Sequence, residues 1–221
     1  MSTPLRGTEA FYRLVRNTLF VIYRVLFGFR HYGSEKVPEP NDTRGVILAP
    51  NHVSHLDPPV TGISLKRRVT YLAKDYLFKH WFVGWILRGI GAYPIKSDAV
   101  NDFRSIRDLI RILKQGECIT VFPEGTRSEN GEFREPEAGL GFLALKSGAW
   151  VVPAYIRGTF EALPKGAEKI KRRLVDVHYG TPFLPVEIKD LPSGEEGYLK
   201  VVQRIMAEIK EIKAGLRQQT P

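Results

Sequence analysis

A histidine and an aspartate suited to proton transfer stand in a polar stretch, PNHVSHLDPP, that begins at residue 50. His52 and Asp57 would point about 140° apart on a helix and to opposite faces on a strand, so they meet only if the segment turns. If they meet, Asp57 can bond one imidazole nitrogen and leave the other free to take a proton. The pair would then act as a general base.

Two other interpretations of the same stretch stay open. Pro58 disfavours a helical Asp57 and is well suited to begin a helix, so Asp57 can be simply an N-cap and His52 a loop residue. A metal site formed by His52, His55 and Asp57 is the third interpretation. No HExxH-type element or further ligand cluster supports that site.

A second polar element, FPEGTRS, follows an apolar run and begins at Phe122. Its proline and Gly125 predict a tight turn. The turn does not explain three further polar side chains on this loop, Glu124, Thr126 and Arg127. They stand at the end of a predicted strand, where α/β folds bind ligands. Arg127 can bond two phosphate oxygens at once, and Lys74, after another predicted strand, is a second candidate phosphate ligand.

The elements that must position these residues alternate between strands and helices after Gly33. We predict strands at Val46–Ala49, Val69–Ala73, Ala92–Ile95, Cys118–Phe122, Val151–Ile156 and Leu174–Tyr179. We predict helices at about 58–66, 76–89, 98–115, 137–147 and 195–215, with Asp98 as the cap of the third. This order indicates an α/β fold with a mixed, largely parallel sheet and helices on its faces.

Residues 9–30 predict a further helix, with a thin polar stripe that holds three arginines and an otherwise apolar circumference. The helix can pack on the protein's own core, or it can lie in a membrane interface with its arginines at anionic headgroups. We favour the second interpretation, an N-terminal amphipathic membrane-interface segment. The longest run without Lys, Arg, Asp or Glu has only 12 residues, whereas a spanning helix needs about 20 apolar residues.

Charge and cysteine content narrow the classes of partner. The 33 Lys and Arg residues outnumber the 24 Asp and Glu residues, for a net charge of +9. A basic run at 165–173 lacks the aromatic residues that stack on bases, so we expect contact with an anionic lipid surface and no nucleic acid. A single cysteine, Cys118, excludes an internal disulfide. With no secretory signal, we expect a peripheral or monotopic protein at the cytoplasmic face of the cell membrane.

Four motifs in order resemble the glycerolipid acyltransferase family, most of all its bacterial 1-acyl-sn-glycerol-3-phosphate acyltransferases. They are NHxSxxDxP at 51–59, GAYPIK at 91–96, FPEGTRS at 122–128 and VVPAYIRG at 151–158. The resemblance covers about residues 45–160, and Lys96 stands where the family usually has arginine. We divide the chain into an N-terminal segment, residues 1–32, and an acyltransferase domain, residues 33–221.

The resemblance implies transfer of a fatty acyl group from a thioester to the sn-2 hydroxyl of lysophosphatidic acid, which gives phosphatidic acid. His52 would be the base and Asp57 its partner, and Arg127 with Lys74 would hold the phosphate. Glu124 would position Arg127 or a glycerol oxygen, while Gly125 and Thr126 shape the loop. No metal or redox cofactor is expected, and without a GxSxG element direct transfer is expected.

Several points stay open at this stage. The thioester donor is acyl carrier protein or coenzyme A, and the acyl chain length and oligomeric state are undetermined. Another lysolipid is an alternative acceptor. A non-catalytic protein that binds anionic membranes or nucleic acid is the alternative from a different class.

Overall fold

The computed structural model describes residues 7–40, 43–95 and 103–218, without the side chains of Phe103, Arg104 and Arg217. The α-helices are α1 Glu9–Phe27, α2 Asp57–Ile63, α3 Trp81–Gly89, α4 Phe103–Lys114, α5 Ala138–Ser147, α6 Thr159–Ala162 and α7 Glu195–Gln218. The strands are β1 Arg30–Tyr32, β2 Val46–Pro50, β3 Leu72–Lys74, β4 Tyr93–Ile95, β5 Cys118–Thr120, β6 Trp150–Arg157 and β7 Asp176–Tyr179. Short 3₁₀ helices occupy Ser34–Lys36, Asp75–Lys79 and Pro185–Glu187.

A five-stranded sheet in the order β1-β7-β6-β2-β5 forms the centre of the fold. β2 is parallel to both of its neighbours, β5 and β6, and β1 is parallel to β7. Only the β6–β7 pair is antiparallel within this sheet. β3 and β4 form a second, parallel pair that an isolated bridge between Thr70 and Ile119 links to β5. The predicted α/β fold with a mixed, largely parallel sheet is therefore confirmed.

The central strand β2 is apolar along its whole length because both of its faces are covered. All five of its residues are buried. Val46 and Leu48 pack with α1, α2 and β7, whereas Ile47 and Ala49 pack with α4, α5 and α7. This alternation is the ordinary period of a strand, and it places the C-terminal end of β2 between two helical layers.

Helix α1 has one buried face and one exposed face that includes apolar residues. One face carries aromatic residues into the protein: Tyr12, Tyr23 and Phe27 are buried. The other face leaves aliphatic side chains exposed, among them Leu14 at 62%, Val21 at 59% and Val25 at 63%. The helix is packed on the core and still presents apolar surface. No helix in the described part of the chain is long and apolar enough to cross a membrane.

Several element predictions need correction. The N-terminal helix ends at Phe27 because Gly28 adopts a left-handed conformation, and the chain then forms the unpredicted strand β1. The predicted helix 76–89 is divided into a 3₁₀ helix and α3, with His80 in an extended conformation between them. Helix α4 buries Leu109, Ile112 and Leu113. Lys96 and the predicted cap Asp98 lie outside the described residues.

Candidate active site

The two polar elements meet at the carboxyl ends of adjacent parallel strands. The 51–57 loop follows β2, and the 122–128 loop follows β5, which pairs with β2 in parallel. The amide of Val121 donates to the carbonyl of Leu48 at 2.9 Å, so the pairing continues to the start of both loops. Parallel strands bring their carboxyl ends to one edge of a sheet, and this edge is the usual ligand site of such folds.

The side chains of His52 and Asp57 form a hydrogen-bonded pair. The segment turns, and Nδ1 of His52 lies 2.9 Å from Oδ2 of Asp57. Since the carboxylate oxygen only accepts, Nδ1 carries the proton and Nε2 is left as the acceptor nitrogen. The carboxylate is fully buried, whereas the imidazole remains 15% exposed. The pair therefore presents one basic nitrogen to the open side of the loop.

Asp57 is held by the loop before it and does not cap the helix after it. Its Oδ2 also accepts the backbone N–H groups of Val53 and Ser54, both at 2.7 Å. Helix α2 begins at Asp57 itself, and the residue at the N-cap position, Leu56, makes no side-chain capping bond. Three donors on one buried oxygen stabilise the negative charge and fix the direction of the carboxylate. The helix-capping interpretation of Asp57 is therefore wrong.

The described residues contain no group of three or more His, Cys, Asp or Glu side chains arranged to hold a metal ion. His55, the third ligand of the metal interpretation, is exposed, whereas Asp57 is turned inward to His52 and two backbone amides.

The 122–128 loop fastens the backbone of His52 on both sides. Oε1 of Glu124 accepts the N–H of His52 at 2.9 Å, and the N–H of Ser128 donates to the carbonyl of His52 at 2.8 Å. The second oxygen of Glu124 accepts the N–H of Arg134 at 2.9 Å. Glu124 is only 2% exposed, and burial raises its pKa, against the lowering effect of these two amides. The observed contacts of Glu124 therefore join backbone segments, and its expected role in positioning Arg127 or a glycerol oxygen stays a prediction.

The turn predicted from Phe122 to Gly125 is present, since the N–H of Gly125 donates to the carbonyl of Phe122 at 3.1 Å. Gly125 has a φ of +65°, and an added Cβ would collide with the carboxylate of Glu137. Only glycine suits this position. Thr126 is exposed and contacts Glu124 through the backbone, so its hydroxyl is available at the open side of the loop.

Three cationic or basic side chains share the open side of the site. Burial lowers the pKa of His55, and the charges of Arg127, His52 and Lys74 lower it further, whereas Asp57 raises it. Arg127 and Lys74 therefore lie within electrostatic reach of His55. Neither makes a hydrogen bond or an ion pair with any described residue, and such unpaired cations suit an anionic ligand.

Two positioning residues in these motifs were missed by sequence reasoning. Phe122 stacks on the His52 ring with centroids 3.8 Å apart and planes inclined by 15°. The side-chain amide of Asn51 bonds both backbone groups of Ile156, at 2.7 and 3.1 Å, which fastens the end of β2 to β6. Both residues adjoin predicted site residues in the chain, but adjacency alone does not tell a contact from a spacer.

A cavity of about 370 Å³ borders the back of the 51–57 loop. Asn51 and Val53 line it on one side and Tyr155, Arg157 and Lys213 on the other, whereas His52 is not part of its wall.

Known proteins are similar to this chain in sequence and in fold. The Acyltransferase family model matches residues 28–157. The chain is 28% identical over 208 residues to a 1-acyl-sn-glycerol-3-phosphate acyltransferase of Bacillus subtilis, covering 94% of this chain and 99% of that protein. It is 28% identical to the protein of that name from Streptococcus pneumoniae, covering 97% of this chain and 77% of that protein. The crystal structure of the 1-acyl-sn-glycerophosphate acyltransferase PlsC of Thermotoga maritima is similar, with a TM-score of 0.73 and 27% identity over 93% of this chain and 79% of that one.

Proposed function

The chain belongs to the Acyltransferase family, and from this premise we propose that it moves a fatty acyl group from a thioester to the sn-2 hydroxyl of 1-acyl-sn-glycerol-3-phosphate, giving phosphatidic acid. The names of its relatives from Bacillus subtilis and Streptococcus pneumoniae support this acceptor. The single observation that carries the chemistry is the oriented His52–Asp57 pair at the carboxyl end of β2.

We propose that Nε2 of His52 takes the proton of the sn-2 hydroxyl as its oxygen attacks the thioester carbonyl. Asp57 keeps the tautomer with the proton on Nδ1 and stabilises the imidazolium that forms. Phe122 and Glu124 hold the ring and the backbone of His52, so the base needs little reorganisation when the acceptor arrives. The departing thiolate is a good leaving group, since thiols ionise near pH 8.5, and the imidazolium returns its proton to it or to solvent.

A covalent acyl-enzyme is not needed for this reaction. Cys118 is fully buried within β5, and burial raises the pKa of its thiol to about 12. A buried neutral thiol is a poor nucleophile. We therefore propose that the acyl group passes directly from the thioester, carried by acyl carrier protein or coenzyme A, to the acceptor.

Arg127 and Lys74 are the proposed ligands of the acceptor phosphate. Lys74 is exposed and Arg127 is half-buried, and their lack of side-chain partners among the described residues and their shared influence on His55 support this assignment. A planar guanidinium binds two oxygens of a phosphate monoester in one plane. Thr126 and Gly125 shape the loop between this anion site and Glu124.

We also propose that the acceptor is reached at an anionic membrane surface. The exposed aliphatic face of α1 and the basic 165–173 run support this contact. Arg172 donates to the carbonyls of Val25 and Leu26, so the basic run lies against the C-terminal end of α1. Apolar and cationic surfaces are thus adjacent, as in interfacial helices.

The function is tested by measuring acyl transfer to 1-acyl-sn-glycerol-3-phosphate with acyl-coenzyme A and acyl carrier protein donors. We expect turnover with one or both donors, and a fall of about 10²–10⁴-fold in kcat for His52→Ala, the usual effect of removing a general base. Asp57→Asn should lower kcat by a comparable factor with little change in KM. The new amide group can donate to Nδ1, which favours the tautomer with the proton on Nε2. Alternatively, it can leave the amides of Val53 and Ser54 poorly paired.

Circular dichroism and thermal unfolding of each variant separate loss of chemistry from loss of fold. Near wild-type turnover in folded His52→Ala would contradict the mechanism. Turnover with a different lysolipid, but none with the phosphate monoester, would reassign the acceptor while leaving the pair in place.

A further inference from the structure

Helix α3 carries an aromatic surface that is largely exposed. Trp81 is 84% exposed, Phe82 52% and Trp85 58%, and we call these three residues the aromatic face of α3. Trp81 contacts Phe82 with centroids 5.6 Å apart, and Phe82 stacks on Trp85 at 6.5 Å. Three large aromatic side chains in contact with one another form one patch, which soluble surfaces rarely expose without a use.

The opposite face of α3 already holds the helix in place. Ile86, Leu87 and Ile90 pack in a small core with Tyr12, and Arg88 bonds the carbonyl of Phe78 at 2.9 Å. The helix is therefore anchored without its aromatic face. The aromatic face is available for contact with something outside the chain.

The aromatic face continues the exposed apolar surface of α1. Phe11 of α1 meets Trp85 edge to face, with ring centroids 5.1 Å apart. From there the exposed aliphatic residues of α1 run through Leu14 and Val21 to Val25, at the other end of the helix. Exposed apolar side chains thus recur from α3 along α1 to the end of α1 that meets the basic 165–173 run.

The chemistry of this segment fits a lipid–water boundary. Tryptophan rings combine a large apolar area with one N–H donor and concentrate at membrane interfaces. Residues 74–90 include three cations, Lys74, Lys79 and Arg88, against one carboxylate, Asp75. Lys74 and Lys79 are exposed and make no hydrogen bond or ion pair with the described residues, so they are available to anionic headgroups.

The position of α3 ties this surface to the active site. β3 ends at Lys74, whose charge acts on His55, and the 3₁₀ helix Asp75–Lys79 leads directly from Lys74 into α3. A lipid surface at α3 would therefore be joined by this short helix to Lys74, one of the two proposed phosphate ligands.

We propose that the aromatic face of α3 inserts into an anionic bilayer as a membrane contact in addition to that of α1. The inference rests on the proposed function only in that the acceptor is a lipid. Its insertion is measured without donor or acceptor, so failure of insertion and failure of acyl transfer are separate results.

The first experiment is co-sedimentation of the full chain with vesicles of phosphatidylcholine and phosphatidylglycerol. Trp81→Ala/Phe82→Ala should weaken vesicle binding about tenfold or more. The two aromatic side chains would be buried in the bilayer, and their removal costs at least one factor of ten in affinity. Val186→Ala is the matched control, an exposed apolar residue (72%) on a different element, and it should bind as the wild type does. Unchanged binding by the folded double variant would overturn the proposal.

A second experiment reports on Trp81 itself without removing it. In Trp85→Phe/Trp150→Phe, Trp81 is the remaining one of the three tryptophans. Its emission should shift to the blue on vesicle binding and be quenched by lipids with brominated acyl chains. Vesicle binding without shift or quenching would overturn the proposal. Equally, a dimer in sedimentation velocity that Trp81→Ala/Phe82→Ala dissociates, with vesicle binding intact, would assign the face to a second copy of the chain.

Discussion

At the scale of residues, the site separates the proposed catalytic pair, His52 and Asp57, from a proposed anion-binding set, Arg127 and Lys74. The pair is buried on the Asp57 side and open on the His52 side, and its geometry is fixed by hydrogen bonds to one carboxylate oxygen. In the proposed anion-binding set, Lys74 is exposed and Arg127 is half-buried, and neither side chain has a hydrogen-bond or ion-pair partner within the described residues. The two sets should therefore respond differently to substitution, the first through kcat and the second through KM.

Arg127→Ala should raise KM for the phosphate monoester about tenfold or more, with a smaller effect on kcat, because a charge-assisted phosphate contact contributes about 1.5–3 kcal/mol. Arg127→Lys should recover part of the loss, since lysine keeps the charge but cannot bond two oxygens in one plane. Steady-state kinetics on a monoester and on a lysolipid with an esterified phosphate check both points. Equal losses on both acceptors would assign Arg127 a structural role.

The pKa of His55 should report the anion directly. Burial lowers this pKa most, and the charges of Arg127 and Lys74 lower it further, so a bound phosphate monoester or the change Arg127→Ala should raise it. The histidine resonances, followed by NMR against pH with and without glycerol 3-phosphate, measure the shift. His31 is the control, because its pKa is lowered by burial and is not affected by these cations. If neither the added anion nor Arg127→Ala changes the pKa of His55, the anion binds elsewhere.

At the scale of elements, the site depends on two loops that follow neighbouring strands. Glu124 links three segments, since its carboxylate accepts the amides of His52 and Arg134 and belongs to the loop after β5. The parallel register of β2 and β5 brings these loops together across 72 residues of sequence. Phe122 and Ser128 extend the same contact to the ring and carbonyl of His52.

Glu124→Gln should lower both stability and kcat, while leaving KM for the acceptor nearly unchanged. The amide group replaces one acceptor oxygen with a donor, so either the His52 or the Arg134 N–H loses its partner, at a cost of about 1–3 kcal/mol. Chemical denaturation and steady-state kinetics measure the two effects. Glu135→Gln is the control, because Glu135 is exposed on the same stretch of chain. A rise in KM alone would indicate that Glu124 binds the acceptor directly.

At the scale of the whole molecule, helix α1 connects its own exposed apolar face to the 51–57 loop of the site. The hydroxyl of Tyr23 donates to the carbonyl of Leu56 in the 51–57 loop at 3.2 Å. Burial and the charge of Asp57 raise the pKa of Tyr23, which reflects the same proximity. Deletion of residues 1–32 would remove this bond together with β1 and part of the core. Truncation therefore cannot separate membrane contact from packing, and point changes on the exposed face are the better test.

Leu14→Ala/Val21→Ala/Val25→Ala should weaken binding to anionic vesicles about tenfold or more without lowering thermal stability. The three side chains are mostly exposed, and alanine keeps the helix propensity high. Charge reversal at Arg16 is less suitable, because this residue bonds the carbonyls of Leu65 and Lys66. Vesicle co-sedimentation measures the binding and thermal unfolding measures the stability, with Val186→Ala as the control. Lost stability with unchanged vesicle binding would assign this face to packing.

Several features of the candidate site could be predicted from the sequence because the residues of each motif lie close together along the chain. The His52–Asp57 spacing, the turn at Gly125 and the free cation Arg127 depend on local geometry and residue type. The alternation of strands with helices predicted the sheet class, and the resemblance of four motifs indicated the family. The division at residues 32 and 33 stays a prediction.

Only the tertiary structure decided which local interpretation holds. A carboxylate after a turn can cap a helix or orient an imidazole, and the choice for Asp57 depends on where the preceding backbone amides point. Glu124 resembles a ligand-binding residue in sequence, but the register of β2 and β5 places its oxygens on two distant amides. The strand β1 was unpredictable because its three residues are all exposed, and only pairing with β7 makes them a strand. Period and residue type are local quantities, whereas a hydrogen-bond partner far along the chain is set by how the strands align.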